Sequence, residues 1–374
     1  PRFPNQAFAV FVRSPHAHAR IVSVDTAEAA KAKGVLTVLT AADMKGLGSA
    51  GRHLPLQGRN GTLLVQPFRP VLAGERVRYV GEAVAMAVAE TLAQAQDAAE
   101  MIGVSYEELP AVVDPREGVK SGAPQLHDEA KNNVALDWPG MIDSADNERA
   151  VDDIFKSAAH VARVTVHHQR IAVMSMETRG ANARYDAKTD SYDLRACSQS
   201  ASVVRNQTAP VLGIEPAKLR VTTEDVGGAF GMKTPTYPEY VAVCVAAKKV
   251  GRPVAWMSTR SEAFQTDTPG RDAWTESELA VDDKGKFLAL RMRHITGQGA
   301  YITPAGVGIN TNNVARCLPA MYHIPKISFA DVCVFTTTAP MGPYRGAGRP
   351  EANFALERVV EEAARITGID AAKL

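Results

Sequence analysis

Four cysteines in 374 residues, none in a C-x-x-C pair, leave nothing from which to build a zinc ribbon or an iron–sulfur cluster. Cys197, Cys244, Cys317 and Cys333 are scattered, which fits reduced, mostly buried thiols and a cytoplasmic, reducing compartment. No window has the apolar length needed to span a bilayer. The first residues, Pro1-Arg2-Phe3-Pro4, carry no basic stretch leading into an apolar one, so no signal peptide is legible. Formal net charge is only +1, and no basic run is interleaved with aromatics, so a nucleic-acid partner is not expected. What remains is ordinary for a globular chain long enough for two or three cores, with 45% hydrophobic and 22% charged residues.

Two glycine-rich stretches stand out against that background. Val226-Gly227-Gly228-Ala229-Phe230-Gly231-Met232-Lys233 follows a strand-like run at residues 218–223. Small residues surround one Phe there, so the backbone can approach something large and aim N–H groups at an anion. Gly342-Pro343-Tyr344-Arg345-Gly346-Ala347-Gly348-Arg349-Pro350 repeats the pattern and adds two arginines suited to an oxyanion. We read the two loops as clasping one cofactor; ordinary surface turns are the competing reading. Nucleotide fingerprints fail at both. Met232 separates Gly231 from Lys233-Thr234, which breaks a P-loop, and Gly346-Ala347-Gly348 lacks the third glycine of a dinucleotide motif.

Periodicity predicts an α+β chain. Strands are expected at 7–12, 19–24 and 35–39. A strand–turn–strand follows at 76–89, then a helix capped by Thr91 and a strand at 104–109, closing an α/β domain over 1–115. Residues 46–66 read as a mobile loop and 116–145 as a linker. The region 146–374 opens with a helix at 147–159 whose Val151, Ile154, Phe155 and Ala158 share a face. Further on come hairpin strands at 183–186 and 192–197, helices at 201–212 and 238–250, and a hairpin across Asp282–Lys286. A long helix at 351–367 is expected to turn Phe354, Leu356, Val359, Val360 and Ala363 inward. His16-Ala17-His18 and His167-His168 have chelating spacing but no matching carboxylate or Cys. Capping or hydrogen-bonding roles are therefore expected for them, and no side chain is expected as a direct metal ligand.

At the glycine loops the chain resembles a known family. Val226 to Lys233, Gln199 within Cys197-Ser198-Gln199-Ser200, and Tyr344 to Ala352 occur in the order and spacing of the molybdopterin-binding subunit of the xanthine dehydrogenase/aldehyde oxidase family of molybdenum hydroxylases. Residues 11–19 and 79–85 resemble that family's small hammerhead α/β domain. The resemblance spans essentially the whole chain. It implies a hammerhead domain followed by the first of two molybdopterin-binding α+β domains. It also implies oxidation of an aldehyde or N-heterocycle with water as oxygen source. The implied cofactor is molybdenum-molybdopterin, with the cytosine dinucleotide form as one option, and iron–sulfur clusters and FAD are expected on partner subunits.

By the same resemblance, Gln199 and Arg345 are the catalytic positions. Gln199, Gly227, Gly228, Ala229, Phe230, Gly231, Tyr344, Arg345 and Gly346 are cofactor contacts, and Thr234, Asn313, Tyr344 and Ala347 line the substrate pocket. Departures from the pattern narrow the chemistry. Thr234 replaces the Glu of purine-oxidising members, and Asn313 (with Arg316 close by) stands where they carry an Arg, which disfavours purines. Gly346 replaces the copper-binding Cys of carbon monoxide dehydrogenases. The family's general base is a Glu in the second molybdopterin domain, expected on a partner subunit or a missing domain; Glu82, Glu177 and Glu239 are candidate substitutes within this chain, none of them favoured by the sequence. The alternative class is a non-catalytic domain that binds a partner protein without cofactor.

Overall fold

The computed structural model describes residues 3–51, 54–141 and 145–374. In chain order the strands are β1 (Ala7–Arg13), β2 (Ala19–Asp25), β3 (Val35–Thr40), β4 (Arg76–Val77), β5 (Ala83–Ala89), β6 (Gly103–Glu108), β7 (Val134–Trp138), β8 (His160–His168), β9 (Gly180–Asp186), β10 (Ser191–Ala196), β11 (Leu219–Thr222), β12 (Val254–Met257), β13 (Ala273–Val281), β14 (Phe287–Gly299) and β15 (Lys326–Phe335). Among the described residues they form three sheets, ordered β11-β10-β9-β12-β1-β5-β3, β7-β15-β14-β13-β8 and β4-β2-β6.

The seven-stranded sheet runs through both halves of the chain. β1 pairs with β5 antiparallel on one side and with β12 parallel on the other, placing Ala7 opposite Val254. β5 is buried at every residue, as its unbroken Ala-Val-Ala-Met-Ala-Val-Ala run requires of a strand covered on both faces. The helix Leu92–Glu100 covers one face through Ala98, with Thr91 and Gln94 forming a capping box. The helix Pro238–Val250, opened by proline and closed by Gly251 in the left-handed region, fills the core on the other face.

In the five-stranded sheet β14 and β15 run parallel, and the other pairs are antiparallel. The helix Arg349–Thr367 lies on β8 and β13 and buries Ala352, Ala355, Leu356, Val359, Val360 and Ala363. Each fully buried Val or Leu there contributes about 1.5–3 kcal/mol. Phe354 departs from expectation. Two positions from Leu356 on a helix is 200° around, so its ring is half exposed and packs edge-on with His168.

Three further expectations are corrected. The stretch 116–145 supplies β7, which pairs with β15 through Asp331↔Trp138, so part of the expected linker is sheet. Residues 76–89 do not make a hairpin, since β4 pairs with β2 while β5 lies in the seven-stranded sheet. The described part of 46–66 is irregular but tied down: Gly48 N–H donates to Val211 O, Ala50 N–H to Arg69 O and Val65 N–H to Ala135 O, at 2.8, 2.8 and 2.9 Å. Residues 52 and 53 of that segment lie outside the described residues.

Candidate functional site

β10 and β11 end beside each other, and both expected site segments leave from that edge. After β10 the chain gives Ser198 and Gln199 before Ser200 caps the helix Ala201–Leu212. After β11 it enters the first glycine loop. Loop and strand end are joined directly, with Gln199 N–H donating to Lys233 O at 3.1 Å and Ser198 Oγ–H donating to the same carbonyl at 3.1 Å.

The Gln199 side chain then turns back on the loop. Its Oε1 accepts the Gly231 N–H at 2.8 Å and the Thr234 hydroxyl at 3.3 Å. Gln199 is exposed, and with its oxygen committed to the loop both carboxamide N–H bonds have no partner among the described residues. The loop holds Gly228 at φ 93°, Phe230 at φ 52° and Gly231 at φ 108°. A bulky aromatic in the left-handed region is uncommon and signals a conformation imposed by its surroundings. Phe230 is 45% exposed.

The second loop meets the first at that residue: Arg345 N–H donates to Phe230 O at 2.9 Å. A Cβ on Gly231 would stand 2.7 Å from Pro343 O, so the close approach of the two loops requires glycine there. Two glutamates of the helix that follows Arg345 are engaged elsewhere. Glu351 pairs with Arg271 at 3.2 Å, and Glu357 accepts the Tyr322 hydroxyl at 2.8 Å. The Arg345 side chain is exposed and makes no ion pair among the described residues.

Of the pocket candidates, Thr234 lies against Gln199. Asn313 does not face outward, since its Nδ2–H donates to Ala347 O at 3.0 Å and holds the second loop. Asn313 lies in a helical segment at 306–313 for which periodicity gave no signal. Tyr344 lies beneath the Arg271 guanidinium, 4.9 Å from ring centroid to Cζ.

Several residues that sequence reasoning missed support this arrangement. Arg271, itself at φ 70°, donates from Nη2 to Arg345 O at 2.8 Å and lies against Tyr344 O. Lys233, fully buried, reaches Glu177. Behind both, Arg179 is wholly buried between Asp267 at 2.5 Å and Glu239 at 3.2 Å, over the ring of Tyr237. Burial pushes the Glu239 carboxyl up, but Arg179 and Arg13 outweigh it and take it down to about 2.

All three candidate bases are therefore engaged. Glu239 is ion-paired and Glu177 holds Lys233. Glu82 is buried with the Arg78 N–H on its Oε2 at 2.6 Å, and burial raises its carboxyl. The histidine pairs serve packing. His16 meets Glu108, His18 meets Pro110 O, His167 stacks on Trp274 at 4.1 Å and His168 meets the Thr275 hydroxyl. Cys197, beside Gln199, has its thiol raised by burial and by the charge of Glu177, which makes it a poor nucleophile.

Comparison with known proteins decides the family. The sequence model of the molybdopterin cofactor-binding domain matches residues 126–374, and that of the aldehyde oxidase and xanthine dehydrogenase a/b hammerhead domain matches residues 2–110. The chain belongs to the xanthine dehydrogenase/aldehyde oxidase family. It is 32% identical to the nicotine 6-hydroxylase large subunit of Paenarthrobacter nicotinovorans, covering 96% of this chain and 43% of that subunit. It is also 32% identical to the carbon monoxide dehydrogenase large chain of Afipia carboxidovorans, covering 100% and 46%. The solved structure of quinoline 2-oxidoreductase from Pseudomonas putida 86 superposes with TM-score 0.89 at 34% identity, again over 100% of this chain and 46% of the other. The chain thus spans less than half the length of these relatives. Fold and molybdopterin-binding character are those of the family. Among the described residues no helix is long and apolar enough to cross a membrane.

Proposed function

We propose that this chain forms one wall of the molybdopterin site of a molybdenum hydroxylase that oxidises an aldehyde or an N-heterocycle, with water as the oxygen source. The observation that carries the reading is the Gln199 carboxamide. Its oxygen is pinned by Gly231 and Thr234, so two unpartnered N–H donors stand beside the contact between the glycine loops. A neutral amide can donate to an oxygen ligand of a metal without changing the metal's charge. When bound, the cofactor supplies a two-electron redox centre. Gly227, Gly228, Ala229, Phe230 and Gly231 would meet it through backbone, with Tyr344 and Gly346 from the other side. Arg345 offers a permanent cation where oxyanion charge develops, and the exposed Phe230 ring gives a flat apolar wall for a planar substrate.

Thr234 at the pocket, together with Asn313 committed to Ala347 O, leaves neither a carboxylate nor a guanidinium at those two positions to bind a purine, which favours simpler aldehydes or heterocycles. The engagement of Glu82, Glu177 and Glu239 supports a general base contributed by a second molybdopterin domain or partner subunit. The same reading places iron–sulfur clusters and FAD on partner subunits, in the cytoplasm, and includes the cytosine dinucleotide form of the cofactor. The test is Gln199→Ala in the native complex isolated through this chain. Molybdenum content is expected to stay near wild type while kcat falls roughly 10–100-fold. Unchanged turnover would sink the assignment, and a wild-type complex without molybdenum would remove the whole reading.

A further inference from the structure

The first glycine loop is clamped from behind by a single ion pair. Glu177 lies in the segment leading into β9, 56 residues before Lys233. Its Oε2 accepts Lys233 Nζ–H at 2.8 Å and the Gly227 N–H at 3.0 Å. Its backbone answers in kind, with Glu177 N–H donating to Gly227 O at 2.9 Å and Glu177 O accepting Lys233 Nζ–H at 2.9 Å. One residue therefore grips both ends of the loop. Gly227 is what admits it, since a Cβ there would lie 2.7 Å from the Cβ of Glu177. Lys233 relays the grip forward, because its carbonyl receives the Gln199 N–H and the Ser198 hydroxyl. The Lys233 side chain is 0% exposed and Glu177 30%. The charge-assisted bond is thus shielded on its cationic side and stronger than a surface pair.

Resting on the function proposed above, we infer that Glu177 and Lys233 are positioning residues for the reaction, setting where the Gln199 carboxamide and the Phe230–Gly231 backbone stand before any ligand arrives. They touch neither substrate nor cofactor and act through Gly227, Gly231 and Gln199. A loop rich in glycine loses the most conformational entropy on ordering, so a preset shape must be imposed from outside it. The Glu177–Lys233 pair is the connection among the described residues that ties both ends of this loop to one point. Glu177 also lines a groove of about 420 Å³ together with Cys197, Thr223 and Val226.

The experiment compares the native complex carrying Glu177→Gln, Lys233→Met, or both changes. It measures molybdenum content, kcat and KM, melting temperature, and hydrogen exchange in peptides spanning 197–201 and 224–236. Each single variant is expected to lower kcat about tenfold with KM within about twofold, and to speed exchange in 224–236 by about tenfold while peptides elsewhere keep wild-type rates. In the double variant the uncompensated buried charge is gone, so the melting temperature recovers while exchange and kcat do not. A merely structural pair would restore all three together, and that result overturns the inference. So does unchanged exchange in 224–236 in the single variants. If the wild-type complex contains no molybdenum, the functional reading fails by itself, while exchange still reports on the clamp.

Discussion

Replacing Arg179 by Met tests the interior on which the site rests. The guanidinium is wholly buried and holds Asp267 at 2.5 Å, Glu239 at 3.2 Å and the Thr266 hydroxyl at 2.7 Å. Methionine keeps most of the stem volume and removes the charge, leaving two buried carboxylates short of a cation. Breaking one side of a buried ion pair costs about 3–5 kcal/mol. An independent figure comes from linkage. Glu239 is held at about 2 against an ordinary 4.5, a depression worth roughly 3 kcal/mol at neutral pH. Part of that belongs to Arg13, which stays at 3.0 Å. With an unfolding entropy of about 2.1 cal/mol/K per residue, 374 residues give about 0.8 kcal/mol/K, so a 4 kcal/mol loss lowers the melting temperature by about 5 °C. Because the folded pKa is depressed, this stability is present above the unfolded value of 4.5 and disappears as pH falls toward 2. The gap between wild type and Arg179→Met should therefore be full at pH 7 and close progressively below about pH 5. Thermal melts by circular dichroism across that range read it. A variant melting within about 1 °C of wild type at pH 7 would refute the argument.

Gly231→Ala should separate the loops, since its Cβ would lie 2.7 Å from Pro343 O and φ is 108°; we expect molybdenum content of the complex to fall about tenfold or more. Arg345→Met, whose guanidinium has no ion-pair partner among the described residues, should leave the melting temperature within about 1 °C while lowering kcat about 100-fold; equal turnover would exclude a role in charge stabilisation. Asp331 is buried with the Thr296 hydroxyl and the Cys333 thiol on its oxygens, and burial raises it to about 7. A raised folded pKa means that stability is lost as pH climbs from about 4 through 7. Asp331→Asn should therefore show a flatter stability profile between pH 5 and 8, measured by urea unfolding, and an unchanged slope would contradict it.

How far the sequence could be read follows from which signals are local. The helix Pro238–Val250 is bounded by a proline and a glycine acting on their own backbone, and its limits were legible to the residue. The capping box at Thr91 and the hairpin at Asp282–Lys286 are local in the same sense. β15 escaped because Asp331 interrupts its apolar run, and β7 because five residues give too little alternation to outweigh the Asn and Pro around them. At the site, glycine spacing and the family pattern pointed to Gln199, the two loops and Arg345. What keeps those groups in place was not legible. Arg271 adopts a left-handed backbone that nothing about an arginine announces, and it reaches across to Tyr344 and Arg345. Glu177 was visible only as a spare carboxylate. It takes its meaning from a lysine 56 residues away, and only the fold brings them within 2.8 Å. Ligand-facing groups sit in contiguous glycine-rich segments because backbone must come close to the ligand. Their supports are dispersed because any buried partner on a neighbouring element can serve. A reading that follows motifs therefore finds the surface of such a site and misses the ion pairs that give it shape.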